Sequence, residues 1–277
     1  MDSIQSSNIN PGLWSYPCWN GYRPFLKHFG GDALPDTEWL NGLLPPDAES
    51  GGGHPLRFVP AGEIRGVDYE RHIYETGEVS TRAGNWHDLF NALVWCRLPK
   101  MKAALNALHY GQLDSKSMGR RGPLRDALTL LDESGVVVLT RDRDMLDALT
   151  ERDWPRAFQE HRDAWKAGVR VVVCGHGLLE KFLQPYKSIT AHALLCRVEC
   201  PASGEIWKYP LETADAALAR LLLEGALQTG PENLSPLPLM GIPGWWPDGA
   251  QDRAFYDDPG VFRAARQGLM AAPVHGI

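Results

Sequence analysis

The sequence predicts a single α+β domain, with helices packed on a small mixed sheet that contains a hairpin and irregular proline- and aromatic-rich segments at both ends. Three observations predict it. Two consecutive apolar helices can be read in NWHDLFNALVWCRLPKMKAALNALH, residues 85–109. Short β-prone runs at 126–140, 168–174 and 189–199 alternate with helical patterns. No internal repeat, low-complexity run or clear linker divides the chain. One domain is therefore expected at 61–263, preceded by a wrapping segment at 1–60 and followed by a flexible tail at 264–277.

At 277 residues the chain is long enough for one large domain or two small ones. Its formal charge of 28 − 34 = −6 and pI of about 5.8 give no overall attraction for nucleic acid or an anionic membrane. No membrane partner is expected and nucleic acid is disfavoured, a local basic patch aside; a small-molecule ligand is compatible with the sequence, which names no partner. The five cysteines, Cys18, Cys96, Cys174, Cys196 and Cys200, are odd in number and form no CxxC pair. Cys96 and Cys174 lie in apolar runs and read as small core residues, as in a reducing compartment. The opening residues MDSIQSSNINPGLW have neither a basic n-region nor an apolar h-region, so no signal peptide is expected. Apolar runs such as Val169 to Cys174 fall far short of the roughly 20 residues that span a bilayer. A cytoplasmic protein is expected.

In chain order, Trp14, Tyr16, Trp19, Tyr22 and Phe25 predict a segment that buries its aromatics, with a short helical pattern near Pro24–Phe29. Residues 43–55 read as a loop, and Phe58–Val59 and Tyr69–Tyr74 as short strands. Asn85 is a good N-cap, with Asp88 three residues on, so a helix should run from Trp86 to about Arg97. Its apolar residues Leu89, Phe90, Leu93, Val94 and Cys96 lie nearly all round, which predicts a buried helix. Pro99 suits the first turn of a second helix over 99–110, after an abrupt change of direction at Arg97–Leu98. A polar loop at 111–123 leads to a basic cluster of Arg120, Arg121 and Arg125. The cluster Asp132-Glu133-Ser134-Gly135 between β-prone runs predicts a hairpin with Gly135 at positive φ. Helices are expected at 142–151 and 154–167, then a buried strand, a turn at His176 and a helix within 168–185. A strand follows at 189–199, and Leu211 to Thr229 reads as an amphipathic helix. Residues 234–263 should pack as an irregular strap, in which GWWPD at 244–248 could wall a pocket.

The chemistry-bearing residues interrupt apolar segments. His87 and Asn91 share one helix face, and Asn106 and His109 share a face of the next. His176 and Glu180 are four apart at a helix start. With Asp126 and Asp88 these form the candidate polar set. The catalytic candidates are His87, Asn91, His109, Asp126, His176 and Glu180, and the metal candidates are His87, His109 and His176. Neutral imidazole binds metals and titrates near neutrality, and a three-ligand site with one open position is the common hydrolytic arrangement. The three histidines should converge, with the nearest carboxylate supplied by Asp126 or Glu180, because a buried polar group needs a polar partner. The set is compatible with a divalent metal; the sequence identifies no cofactor. No HExxH, GxGxxG or GxxxxGK[ST] is present. CGHG at 174–177 places histidine where a GxSxG elbow has its nucleophile, so it reads as a tight strand-to-helix turn.

The blocks ETGEVSTRAGNWHDLFNALVWCRLPKMKAALNALH (75–109), RGPLRDALTLLDESGVVV (121–138), GHGLLEKFLQPYKSITAHAL (175–194), LPLMGIPGWWPD (237–248) and AFYDD (254–258) resemble the bacterial proteins described as domain of unknown function 3025. The resemblance spans roughly 60–263. It implies one soluble bacterial domain and carries no settled activity. It places His87, Asn91, Asn106, His109, Asp126, His176, Glu180 and Lys181 inside hallmark blocks, with no role attached to any.

The polar set fits two kinds of protein. One is a hydrolase-like enzyme acting on a small-molecule or nucleotide-like substrate, with His87, His109 and His176 as ligands or bases and Asp126 and Glu180 as ligands or orienting carboxylates. The other is a non-catalytic binding or assembly protein whose polar groups form a satisfied buried network.

Overall fold

The computed structural model describes residues 11–26, 34–63, 67–113, 122–199, 206–246, 249–265 and 271–277. The first stretch wraps onto the body through its aromatics. Trp19 and Tyr22 are buried, and Trp19 packs against Phe90 and Phe182 with ring centroids 5.6 and 5.9 Å away. The short helices α1 (Arg23–Leu26) and α2 (Thr37–Asn41) precede strand β1 (Arg57–Pro60).

Residues 69–74, expected as a strand, are instead part of helix α3 (Tyr69–Thr76). Its signals are local. The Asp68 side chain accepts from the Arg71 amide at the start, and Gly77 closes the end in the left-handed region. Strand β2 (Glu78–Thr81) pairs parallel with β1.

Helices α4 (Trp86–Arg97) and α5 (Pro99–Gly111) follow, where the sequence places them. Asn85 caps α4 by accepting from the Asp88 amide, and every residue from Leu89 to Cys96 is buried. Pro99 opens α5, and Leu98 supplies no side-chain cap. The Asp215 carboxylate does so from another helix, accepting from the amides of Lys100 and Met101 at 3.0 and 2.8 Å.

The hairpin at Asp132–Gly135 is overturned. Helix α6 (Pro123–Ser134) runs through Asp132, Glu133 and Ser134, and Gly135 opens strand β3 (Gly135–Thr140). Leu124, Ala127, Leu128 and Leu131 are its buried residues, at i, i+3, i+4 and i+7. Gly135 has φ −83°, an ordinary extended value. Glycine is required there because a Cβ would stand 2.1 Å from the Leu131 carbonyl oxygen.

Helix α7 (Arg143–Glu151) lies within the expected span. The helix expected at 154–167 is broken into a π-helical turn at Arg156–Glu160 and the short α8 (Ala164–Ala167). Strand β4 (Val169–Val173) leads into α9 (His176–Lys181), then β5 (Thr190–Arg197). Helix α10 (Leu211–Leu223) ends six residues before the expected Thr229. Strand β6 (Ser235–Pro238), helix α11 (Arg253–Tyr256) and strand β7 (Val274–Gly276) complete the chain. The strap thus contains a strand and a short helix. The tail expected to be flexible ends in a strand paired to β5. Pro247, Asp248, Arg120, Arg121 and Cys200 lie outside the described residues.

The main sheet runs β4-β3-β5-β6, with β7 also on β5. Strand β3 is antiparallel to β4 and parallel to β5. β6 pairs with Thr190–Ala193 of β5 and β7 with Leu195–Arg197. All six residues of β3 are buried. With helices α4 and α6 and the sheet sharing one core, this is a single α+β fold. No helix among the described residues is long and apolar enough to cross a membrane.

One junction fixes the site. The amides of Cys174 and Gly175 both donate to the Gly135 carbonyl, at 3.1 and 2.8 Å. This staples the start of α9 to the end of α6, so His176 stands beside Glu133.

Candidate functional site

Three helices each carry a polar stripe. His87 and Asn91 lie on α4, Lys102, Asn106 and His109 on α5, and Arg125, Thr129 and Asp132 on α6, at spacings of three and four. The structure turns these stripes toward one another. The resulting cleft has a volume of about 440 Å³, and its lining includes His87, Asn91, His109, Asp132, Glu133 and His176.

At the mouth, the Nε2 atoms of His87 and His176 are 3.0 Å apart. Oε1 of Glu133 lies 3.9 Å from the first and 3.6 Å from the second. Among the described residues these three side chains offer ligand atoms all within 4.8 Å of one another. Glu180 stands behind His87, with Oε2 3.1 Å from Nδ1. A carboxylate there fixes the Nδ1–H tautomer and leaves the Nε2 lone pair facing the cleft. His176 is buried, and its Nδ1 makes no normal hydrogen bond. The nearest carboxylate oxygen, Oδ2 of Asp132, is 3.9 Å away.

Gly177 makes room for this cluster. A Cβ there would stand 2.7 Å from Glu133 Oε2 and 3.8 Å from His87 Cε1. The tight turn at CGHG therefore serves close approach, because α9 must start against the end of α6.

The inner half of the cleft holds two hydrogen-bonded groups. Lys102 is buried, with Nζ 2.6 Å from Asp132 Oδ1 and 3.0 Å from Asn91 Oδ1. The Asn91 amide nitrogen donates to the Tyr69 hydroxyl at 2.8 Å. Asn106 accepts from the Gly51 amide and donates to the Glu70 carboxylate at 2.8 Å. Asp88 lies outside the cluster, clamped by Arg82 at 2.9 and 2.8 Å.

The charges follow from these contacts. Burial alone would raise the Asp132 carboxyl, but Lys102 and His176 outweigh it and hold it at about 2. Burial pushes His176 down to about 4, with Lys102 and His87 adding to the effect and Asp132 opposing it. His176 is thus neutral at pH 7, the state a metal ligand requires. Burial also lowers His109. Burial and the Asp132 charge raise the Glu70 carboxyl to about 7. Burial likewise raises the half-exposed Glu133.

Of the sequence candidates, His87, His176 and Glu180 meet directly. Asn91 and His109 share their cleft, His109 beyond Asp132 rather than among the three clustered ligand atoms. Asp126 is not among the residues that line the cleft. It sits in the first turn of α6; the carboxylates beside the histidines are Glu180 of α9 and, from the last turn of α6, Asp132 and Glu133. Sequence reasoning missed Lys102, Asp132, Glu133 and Glu70. Lys102 was visible in principle, on one stripe with Asn106 and His109. Asp132 and Glu133 were hidden by the turn assigned to them.

The family model described as "Protein of unknown function (DUF3025)" matches residues 56–266, the span that holds α4, α6, α9 and the whole cleft. No curated protein and no solved structure matches the chain.

Proposed function

The chain belongs to the DUF3025 family, and from the cleft these residues build we propose that it is a divalent-metal-dependent hydrolase acting on a small molecule. The observation that carries this reading is the meeting of His87, His176 and Glu133 at the cleft mouth, with Glu180 behind His87. Two imidazoles and one carboxylate match the three-protein-ligand pattern of hydrolytic metal sites. Bonds of about 2.0–2.1 Å in a tetrahedral arrangement place ligand atoms about 3.3–3.5 Å apart. The separations of 3.0, 3.6 and 3.9 Å lie around that range.

In this reading His87 and His176 bind through Nε2 and Glu133 through Oε1. When bound, the ion would supply a hydroxide-like water near neutral pH and polarise the scissile group. Glu180 holds His87 in the ligating tautomer. Asp132, kept charged by Lys102, favours a bound cation electrostatically from beneath His176. Glu70, raised to about 7, suits proton transfer within the same cleft.

A purely structural role is the second reading, and one observation favours it for part of the site. Asp132, Lys102, Asn91 and Tyr69 are already hydrogen-bonded in one chain, and Asn106 to Glu70 in a second group. A satisfied network of that kind also fixes helix packing.

The test is metal content together with hydrolysis of a chromogenic panel of esters and phosphodiesters. Stripped protein should take up one Zn²⁺ or Mn²⁺ per chain, and His176→Ala and Glu133→Gln should each lose it. At least one substrate should be cleaved only by the loaded protein. Wild type that binds no ion, or variants that bind as well as wild type, would leave the structural network as the answer.

A further inference from the structure

A second cavity, of about 290 Å³, lies against β4, away from the polar cleft. Three arginines line it: Arg23 from α1, Arg97 from the last turn of α4 and Arg170 from β4. No carboxylate is among its lining residues. Leu211, the first residue of α10, forms another part of the wall. Pro210, which precedes that helix, supplies no side-chain cap.

The arginines differ in how their donors are used. Arg23 donates to the carbonyls of Trp14 and Ser15. Arg170 donates to the Tyr209 carbonyl at 2.7 Å. The Arg97 side chain makes no hydrogen bond and no ion pair among the described residues, and its Nε is buried without a partner. A guanidinium carries five donors and no acceptor. Leaving a buried donor unmade carries the full cost of stripping it from water. Arg97 also borders the groove that contains Asp47, Glu49 and Glu212, yet pairs with none of them. Its place at the C-terminus of α4 accounts for a positive charge there. It does not account for gathering two further arginines round one cavity. Arg97 repels Arg170 closely enough to act with burial in lowering it, against the opposing pull of Glu212.

We infer that this cavity is a binding site for a phosphate group, free or carried by a small molecule, with Arg97 as its principal donor and Arg170 and Arg23 beside it. A tetrahedral, multiply charged oxyanion accepts from several directions at once. It would satisfy the idle Arg97 donors and relieve the repulsion between the cations. The α10 N-terminus adds a positive dipole end at the same wall. The volume lies at the small end of ligand sites.

Thermal unfolding and calorimetric titration of the full chain test this, with inorganic phosphate, glycerol phosphate and potassium chloride at matched ionic strength. Phosphate should raise the Tm of wild type in a saturable way that chloride does not reproduce. Arg97→Met should weaken phosphate binding about tenfold or more. Without phosphate it should unfold no earlier than the loss of one helix-terminus charge accounts for, because the side chain it loses is otherwise unpaired. Arg170→Met should weaken binding too, and His176→Ala should respond to phosphate as wild type does. A stronger response to glycerol phosphate identifies a phosphomonoester as the source, and an equal or weaker one identifies the free ion. A wild-type response no larger than that to chloride, or an Arg97→Met protein that binds phosphate as well as wild type, would overturn the site. If Arg97→Met alone unfolds earlier than that charge accounts for in the absence of phosphate, Arg97 is a structural residue and the inference is equally overturned.

Discussion

Replacing Lys102 by Met strands the most deeply buried acid–base pair in the cleft. The Lys102 and Asp132 side chains retain only 7% and 15% of their exposure, so solvent screens the pair little. Breaking one partner of such a pair costs roughly 3–5 kcal/mol. A second route gives a compatible size. The fall of Asp132 from an ordinary value of 3.8 to about 2 is by itself about 2 kcal/mol of stability. The lost hydrogen bond to Asn91 adds about 1 kcal/mol. The sign with pH is specific. Because folding depresses Asp132 in the wild type, its contribution is full above pH 3.8 and is lost as the pH falls through about 2. In the variant, burial acts without Lys102 and raises the same carboxyl, so its stability falls as the pH rises through the new value. The gap between the proteins should therefore be widest at pH 7 and smaller at pH 4.5. Urea unfolding at both values measures it. A loss under about 1 kcal/mol at pH 7, or a gap that stays constant or widens toward pH 4.5, would refute the buried pair. Lys102→Met combined with Asp132→Leu should recover most of the loss, since an apolar pair of similar volume is often neutral.

Three other outcomes follow from the same geometry. Folding lowers His176 to about 4 from 6.5, so its contribution is full above pH 6.5 and is lost as the pH falls toward 4; urea midpoints of His176→Asn in EDTA should vary less than wild type across that window, and parallel curves would count against burial of the neutral ring. Gly177→Ala should displace Glu133, whose Oε2 would lie 2.7 Å from the new Cβ, and weaken Zn²⁺ binding roughly 10–100-fold; unchanged affinity by calorimetry would remove Glu133 from the ligand set. Leu93, fully buried in α4, should cost roughly 2–5 kcal/mol on truncation to Ala, and a denaturation loss below about 0.5 kcal/mol would mean the helix is not at the centre of the core.

The parts of the fold that could be read from sequence are those with a cap at one end and a strong period between. α4 and α5 start where Asn85 and Pro99 place them. The failures have the same physics with a competing signal. Tyr69–Tyr74 has strand-like aromatics, but Asp68 and Gly77 bracket it as a helix, and capping prevailed. In DESGVVV the polar run looked like a turn between strands. The apolar spacing Leu124, Ala127, Leu128, Leu131 runs straight through to Asp132 and made the segment a helix. Gly135 had a real meaning that φ could not reveal, since its missing Cβ admits the Leu131 carbonyl.

Misplacing that one segment also misdirected the site. With Asp132 and Glu133 assigned to a turn, the expected carboxylates are Asp126 and Glu180; Glu180 does meet His87 at 3.1 Å, while Asp126 does not line the cleft and Asp132 and Glu133 go unnoticed. Once α6 is helical through Ser134, Arg125, Thr129 and Asp132 form a polar stripe flanking the apolar face of Leu124, Ala127, Leu128 and Leu131. Lys102 belongs to the equivalent stripe of α5, with Asn106 and His109. A lysine is by default read as solvated, because a lone buried ammonium is too costly. Its partner, Asp132, lies 30 residues away on another helix, so no local window contains the pair. What sequence does offer is the coincidence of polar stripes on three helices that each bury an apolar face. Helices of that kind must pack, and where they pack the stripes have only one another or a ligand to satisfy them. The inner residues here satisfy one another. His87, Glu133 and His176, at the open end, bring ligand atoms within 4.8 Å of one another, and it is there that the proposed ion would displace the proton the two imidazoles share.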